Sequence, residues 1–340
     1  MTLINPLQFT AHEFADRMYA VCGRGRAQAL ALYQCFIREG QVRDTLPQFR
    51  NAPHLYEQMR QTIKVDIDPV TLIQSTERAT KFLMKTHDGY LVESVIMSMQ
   101  SRKSLCVSSQ IGCRMACAFC HTGQMGFKRH LGPEEIVQQM FAARHVLKSS
   151  IQNVVFMGMG EPFDNFESVM QAVRVLADPL SFGIGLRRIT ISTSGDIQGI
   201  KTMTRDERPL PNLAVSLGAP TDAIRSKIMP RRRAEPLHDL YTAMYDYCRT
   251  KKRQILVSYV LLSDVNDSLE CAEQLAIYLK GLDVRVNVIP YNASPESAFA
   301  CPSQEAITAF VSRLRHHALP VFVRHERGSS IQAACGQLGG

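Results

Sequence analysis

NVVFMGMGEPFDNFESVMQAVRVLADPLSFGIGLRRITISTSG, residues 153–195, reads as one strand–helix–strand unit. NVVF is a short, nearly continuous apolar run, as expected of a strand buried on both faces. FESVMQAVRVLADP repeats its apolar residues at helical spacing, and RRITISTSG returns to a β-rich run. Both strands end in small or polar residues, Gly158-Met159-Gly160-Glu161-Pro162 and Ser192-Thr193-Ser194-Gly195.

The same rhythm extends outward on both sides. The β-rich runs are SLCVSSQIG, NVVFMGMGEP, RRITISTSG, NLAVSLGAP, QILVSYVLL and VRVNVIPYN. Helix-like stretches separate them: PEEIVQQMFAARHVLK, FESVMQAVRVLADP, LHDLYTAMYDYCRT and SLECAEQLAIYLKGL. A last helix, SQEAITAFVSRLRHHA, leads into VFVRHE. Strands alternating with helices predict an α/β fold with a parallel sheet covered by helices. Right-handed crossovers curl such a sheet, and six repeats rather than eight predict a partial (β/α)6 barrel open on one side. Chemistry in these folds gathers at the C-terminal strand ends, where Gly112-Cys113, Ser216-Leu217-Gly218 and Pro290-Tyr291-Asn292 also lie.

Upstream, AHEFADRMYAV, RAQALALYQCFIRE and HLYEQMRQTI show apolar positions at helical spacing, so residues 9–80 read as short amphipathic helices. KFLMKTHDGYLVESVIMSM alternates around Asp88-Gly89, a hairpin signal that puts Glu93 on the second strand. The expected organisation is a helical accessory domain over 1–78, a β-hairpin linker over 79–103 and a core over 104–340.

The chain has 340 residues, 45% hydrophobic and 21% charged, which suits a globular protein. Apolar runs are short and interrupted, and the start MTLINPLQFTAHEF has no basic-then-apolar pattern. Neither a membrane span nor a signal peptide is expected, and a cytoplasmic location follows. Net charge is +8, and residues 1–95 are nearly balanced with 11 basic and 10 acidic side chains. The excess therefore lies later, in RSKIMPRRR (225–233) and in Arg249, Lys251, Lys252 and Arg253. Such a run can track a phosphate backbone or simply form a solvated basic face.

Ten cysteines in a reducing compartment argue against structural disulfides. Cys22, Cys35, Cys248, Cys271 and Cys301 are scattered and read as small buried hydrophobes. Cys113, Cys117 and Cys120 are different, because CRMACAFCHTG has C-x3-C-x2-C spacing. Thiolates bind zinc and iron–sulfur clusters alike. Structural zinc takes four closed ligands, no second C-x2-C pair is present, and His121 beside Cys120 makes a strained fourth. Three thiolates on a 4Fe-4S cluster leave one iron open to a substrate or cofactor. The spacing favours the cluster, with zinc as the alternative.

C-x3-C-x2-C with Phe119 before the last cysteine, together with MGMGEP, resembles the radical S-adenosylmethionine superfamily. LCVSSQIGCRMACAFCHTGQMGFKR, MGMGEP, RRITISTSG, AVSLGAP, VNVIPYN and the closing AACGQL more narrowly resemble the RlmN/Cfr family of RNA adenine methyltransferases, over roughly residues 80–340. The resemblance implies one 4Fe-4S cluster on Cys113, Cys117 and Cys120, and S-adenosylmethionine used twice per turnover. It implies cofactor contacts at Gly160, Glu161, Ser192, Ser216, Leu217, Gly218 and Asn292. It makes Cys335 the methyl carrier, Cys106 the thiol that resolves a covalent RNA adduct through a disulfide, and Glu93 a general base. It further implies an RNA substrate (23S ribosomal RNA, and transfer RNA), an external electron donor such as flavodoxin, no membrane, and a monomer.

The expected reaction is methylation of carbon 2 of an adenosine. Carbon 8, or another RNA, is the alternative, and a zinc-stabilised RNA-binding protein is the non-enzymatic one. Departures from the family pattern are Gly218 for a histidine, Ser258 for a glutamate, and GSSIQAACGQL with Ser329, Ser330 and Gln332 for an acidic run. These point to altered RNA selection rather than lost catalysis.

Overall fold

The computed structural model of the chain describes residues 3–99, 102–230, 235–293, 297–324, 331 and 336–339. It opens with α1 (Ala11–Cys22), α2 (Arg26–Glu39) and α3 (Pro53–Thr62). Thr10 and Glu13 form a reciprocal capping box at the start of α1, and Gly23 ends it in the left-handed conformation at φ 73°. Four strands follow: β1 (Val70–Ser75), β2 (Ala79–Lys85), β3 (Leu91–Met99) and β4 (Arg102–Cys106). Next come β5 (Gln110–Gly112), α4 (His121–Gln124), β6 (Phe127–His130) and α5 (Pro133–His145).

The alternation then runs β7 (Asn153–Phe156), α6 (Phe166–Ala177), β8 (Ile189–Thr193), α7 (Ile197–Arg205) and β9 (Asn212–Ser216). It continues through α8 (Asp222–Ile228), α9 (Leu237–Lys251), β10 (Ile255–Leu261), α10 (Leu269–Leu279), β11 (Val284–Pro290), α11 (Gln304–His316) and β12 (Val321–Val323). Among the described residues no helix is long and apolar enough to cross a membrane.

Ten strands form one sheet in the order β1-β2-β3-β4-β7-β8-β9-β10-β11-β12. The β1–β4 pairs are antiparallel, and every pair from β4 to β12 is parallel. Parallel neighbours cannot be joined by a tight turn, so a helical crossover stands between each pair. The mixed α/β class expected from the alternation is what the chain adopts.

Two stretches differ from the sequence reading. β1 lies inside the segment expected to be helical. It is an edge strand that pairs antiparallel with β2, the next strand in the chain, with Ile73 opposite Phe82. SLCVSSQIG is not one strand but two. β4 ends at Cys106, and β5 pairs antiparallel with β6 in a separate two-stranded ribbon. Between them Ser108 is held by α5, where the Gln139 side chain accepts from its N–H and donates to its carbonyl, at 2.8 and 2.9 Å. That bond takes the backbone out of the main ladder.

The sheet has two unlike faces. Val154, Phe156, Ile189, Ile191, Leu213, Val215, Val257 and Val286 point to one side and are fully buried under the helices. The other side carries Thr190 and Asn212, paired across β8 and β9, and Ser216, Ser258 and Asn287, aligned across β9, β10 and β11. Most of these polar residues are half-buried. Burial stabilises the fold through the first face and leaves the second free for a ligand.

The N-terminal helices share the same continuous core. Phe36 of α2 stacks on Phe141 of α5 at 4.9 Å between ring centres, and the Ala11 N–H donates to the Asp178 carboxylate at 2.7 Å.

Candidate active site

The cysteine loop leaves the β5–β6 ribbon. Gly112, at φ 71°, starts it, and a β-carbon there would overlap the Gly126 carbonyl, so no other residue fits. The Cys113 N–H donates to that same carbonyl at 3.1 Å. The Cys120 N–H donates to the Cys117 carbonyl at 3.0 Å, winding the second half of the loop. Ala118 ties it to α8 through the Ile228 carbonyl at 2.9 Å, and Cys117 and Phe119 pack against Ala219, Met229 and Tyr291.

Cys113 is buried, and burial pushes its thiol up to about 12, with Glu161, Cys120 and Asp164 acting in the same direction. Cys113, Cys117 and Cys120 set three thiols on one short loop, a donor set that fits an iron–sulfur cluster. Among the described residues no three His, Cys, Asp or Glu side chains converge as a site for a single ion. A cluster takes each thiolate on a different iron and makes no such demand.

Glu161 follows β7 and is buried. Its carboxylate accepts from the Ser194 N–H and hydroxyl, both at 2.8 Å, and from the Phe163 N–H at 3.2 Å. The side chain thus ties the end of β7 to the end of β8. Its own N–H donates to the Gln110 side chain at 2.8 Å. Gly160, at φ 105°, passes so close to Gln110 that a β-carbon would stand 2.6 Å from its Cβ. Arg225, buried under this region, donates to the Ser194 carbonyl at 3.0 Å.

The other expected cofactor residues occupy neighbouring strand ends. Ser192 and Ser216 have their hydroxyls 3.5 Å apart on the polar face. Leu217 is buried, and its N–H donates to the Ser258 carbonyl at 3.0 Å. Gly218 is left-handed at φ 75°, and a β-carbon there would stand 2.4 Å from the Met229 sulfur, so Met229 fills the space next to it. Asn292 follows β11 and is half-buried.

Cys106 ends β4 directly opposite Val95 of β3 and Val155 of β7. Glu93 lies two residues before Val95 and so on the same strand face. Both are buried, and the Lys81 ammonium stands 3.9 Å from the Glu93 carboxylate. Ser108 donates to the Glu93 carbonyl at 2.6 Å.

Cys335 lies outside the described residues, as do Ser329, Ser330 and Gln332. Its flanks are described. Leu338 and Ile331 pack in one apolar cluster with Cys106, Val95 and Met159. The Gly336 carbonyl accepts from the His121 N–H at 2.8 Å, and the Leu338 carbonyl from the Thr122 hydroxyl at 2.5 Å. Ile331 and Leu338 thus share a cluster with Cys106, and Gly336 and Leu338 bond to the end of the cysteine loop.

Lys81, Gln110 and Arg225 escaped the sequence reading. Lys81 had a usable signal, since the hairpin register around Asp88-Gly89 puts it opposite Val95. Arg225 sat in a run that read as a basic surface, yet it is almost fully buried.

The description of the Radical SAM superfamily matches residues 107–273. The chain is 44% identical to the "Probable dual-specificity RNA methyltransferase RlmN 1" of Protochlamydia amoebophila (strain UWE25), over 99% of this chain and 94% of that one. It is 40% identical to the "Dual-specificity RNA methyltransferase RlmN" of Syntrophobacter fumaroxidans (strain DSM 10017 / MPOB), over 81% of each. Its structure is similar to the crystal structure of a radical SAM methyltransferase from Sphaerobacter thermophilus, with a TM-score of 0.90, 36% identity and 99% of both chains covered.

Proposed function

The chain belongs to the RlmN family of radical SAM RNA methyltransferases, and from that premise we propose that it methylates carbon 2 of an adenosine in 23S ribosomal RNA and in transfer RNA, with Cys335 as the methyl carrier. One observation carries the assignment of roles. Ile331 and Leu338, on either side of Cys335, pack in the same apolar cluster as Cys106.

Cys113, Cys117 and Cys120 would hold the iron–sulfur cluster, and that cluster with S-adenosylmethionine supplies the methyl group and the hydrogen-abstracting radical. The strand ends at Gly160, Ser192, Ser216, Leu217, Gly218 and Asn292 line the cofactor side of the polar face. Glu161 keeps two of those ends in register rather than offering its carboxylate outward.

Cys335 carries the methyl group on Sγ; the hydrogen-abstracting radical would break one of its C–H bonds, the carbon then bonds to the adenine ring carbon, and the electron left once the ring proton is removed would return to the cluster, so the RNA becomes joined to the protein through that carbon. Cys106 Sγ, as the thiolate, then attacks Cys335 Sγ; the bond from Cys335 Sγ to the transferred carbon breaks, the disulfide forms, and that carbon leaves with the electron pair and takes up a proton, which gives the methylated base. Glu93 takes the proton from the ring carbon. The Lys81 ammonium stands 3.9 Å from the Glu93 carboxylate. The RNA substrate and the reduced thiols suit a cytoplasmic enzyme served by an external donor of the flavodoxin kind.

The segment up to residue 78 serves as an accessory RNA-binding part. Exposed Arg24, Arg38 and Arg50, which form no ion pairs among the described residues, support that reading. The relatives' name, dual-specificity RNA methyltransferase, supports two classes of RNA, and TGQMGFKR favours carbon 2.

The test is nucleoside mass spectrometry on RNA from a strain lacking the gene and from complemented strains. Loss and return of 2-methyladenosine is the expected result, and 8-methyladenosine in its place overturns the carbon assignment. Cys335→Ala abolishes methylation. Cys106→Ala accumulates a covalent protein–RNA species visible as a shifted gel band, and a fully active Cys106→Ala enzyme removes that thiol from the mechanism.

A further inference from the structure

The polar face of the sheet does not end at the cofactor. At the opposite, N-terminal ends of β8 to β11 it opens into a cavity of about 620 Å³ lined by Arg187, Arg253, Arg285, Thr190 and Asn212. Three arginines line it, and no acidic residue is among its lining residues. Among the described residues none of the three arginines forms an ion pair.

Arg253 is held in place from behind. It donates to the Leu210 carbonyl and, at 2.6 Å, to the Asn212 side-chain oxygen, both neutral acceptors. The Asn212 amide donates in turn to the Arg187 carbonyl at 2.8 Å, fixing the backbone that carries the second arginine. Arg285 is exposed on β11, opposite Leu256 and two residues before Asn287 on the polar face.

Three cations held around one opening repel one another, and an anion removes that repulsion. Guanidinium groups match phosphate oxygens with paired donors, which an isolated ammonium cannot do. On β9 the cavity is four residues from Ser216, about 13 Å along the strand. That span is too long for contact with the reacting ring and suits a phosphate of a neighbouring nucleotide.

We propose that Arg187, Arg253 and Arg285 form a binding site for a backbone phosphodiester of the RNA substrate, at the end of the polar face remote from the cofactor. The site rests on the chain being an RNA methyltransferase and not on which ring carbon is methylated. It draws together Arg253, from the basic run 249–253, and two arginines from separate strand motifs. Phosphate contacts of this kind position the RNA and add affinity without reading sequence.

The test uses the full-length, cluster-loaded enzyme and a fluorescein-labelled RNA stem-loop containing the substrate adenosine. Binding is followed by anisotropy between 50 and 200 mM salt, chosen as roughly the range where counterion release is steep. R187Q/R285Q changes two exposed side chains and leaves the braced Arg253 in place, so the fold is kept and Tm is unchanged. The expected result is roughly tenfold weaker binding with a salt slope shallower by about 1.4, as for two lost single-strand phosphate contacts.

K280Q/R313Q, two exposed positions just after α10 and on α11, removes the same charge and serves as the reference. Equal losses in the two double variants mean a general charge effect and overturn the site, as does an unchanged slope in R187Q/R285Q. Equilibrium dialysis with inorganic phosphate separates the sources. Phosphate binding lost in R187Q/R285Q with RNA affinity intact identifies a free-phosphate site and overturns the RNA assignment. The methylated carbon, read by mass spectrometry, is the same in every variant that turns over, so a wrong carbon assignment is not confused with a failed phosphate site.

Discussion

Gly160 shows how little room a single position can have. Its φ of 105° is open to glycine and strained for other residues, and a β-carbon would press on Gln110. Gly160→Ala should cost roughly 2–4 kcal/mol, and a thermal melt of the cluster-free protein measures it. Glu161 beside it is a separate case. Its oxygens accept three donors, and an amide nitrogen at one of them would face an N–H. Glu161→Gln is expected to lose about 2 kcal/mol, with S-adenosylmethionine affinity falling because the β7 and β8 ends come apart. The sequence showed both residues as a motif at a strand end. It did not show that the glutamate faces the protein, because its acceptor role depends on Ser194, thirty-three residues away.

At the scale of elements, the hairpin and the cysteine ribbon are coupled by one side chain. Arg129 of β6 donates to Asp88 in the β2–β3 turn at 2.6 and 2.9 Å, and to Glu135 of α5 at 2.8 Å twice. It thereby fixes the strand that carries Glu93 against the ribbon that carries Cys113. Arg129→Gln should cost about 2 kcal/mol at pH 7 by urea unfolding. The pH dependence has a definite sign. Hydrogen bonds from Arg129 hold the Asp88 carboxyl well below the usual aspartate range. A depressed folded value contributes stability that is complete above the unfolded aspartate value of about 3.9 and is lost as pH falls toward the folded one. The gap between parent and variant is therefore full at neutral pH and narrows below about pH 4. A gap that widens on acidification would contradict the Asp88 assignment. β1 and the β4–β5 break belong to this scale too. Strand alternation in KFLMK was legible locally, but β1 shows as a strand in its pairing with β2, and β4 stops only because Gln139 takes Ser108.

Over the whole molecule, the last residues close the site that the first parallel strand begins. Leu338 is 5% exposed and packs by Cys106, while the ten-stranded sheet is complete by Val323. Truncation after residue 330 should leave far-UV circular dichroism unchanged and remove about 2 kcal/mol for the buried leucine, while methylation is abolished. A truncated chain that no longer folds would show that the tail belongs to the core instead. The sequence by itself determined the alternation of strands and helices, the cysteine spacing and the polar strand ends. Each is set by a local period or by chemistry within a dozen residues. Only the tertiary structure decided that Ile331 and Leu338 pack in the same apolar cluster as Cys106, and that Arg187, Arg253 and Arg285 share one cavity. Those neighbours are fixed by strand order and register across the sheet. A periodic pattern says which face a side chain takes, and the packing of distant segments says what it meets there.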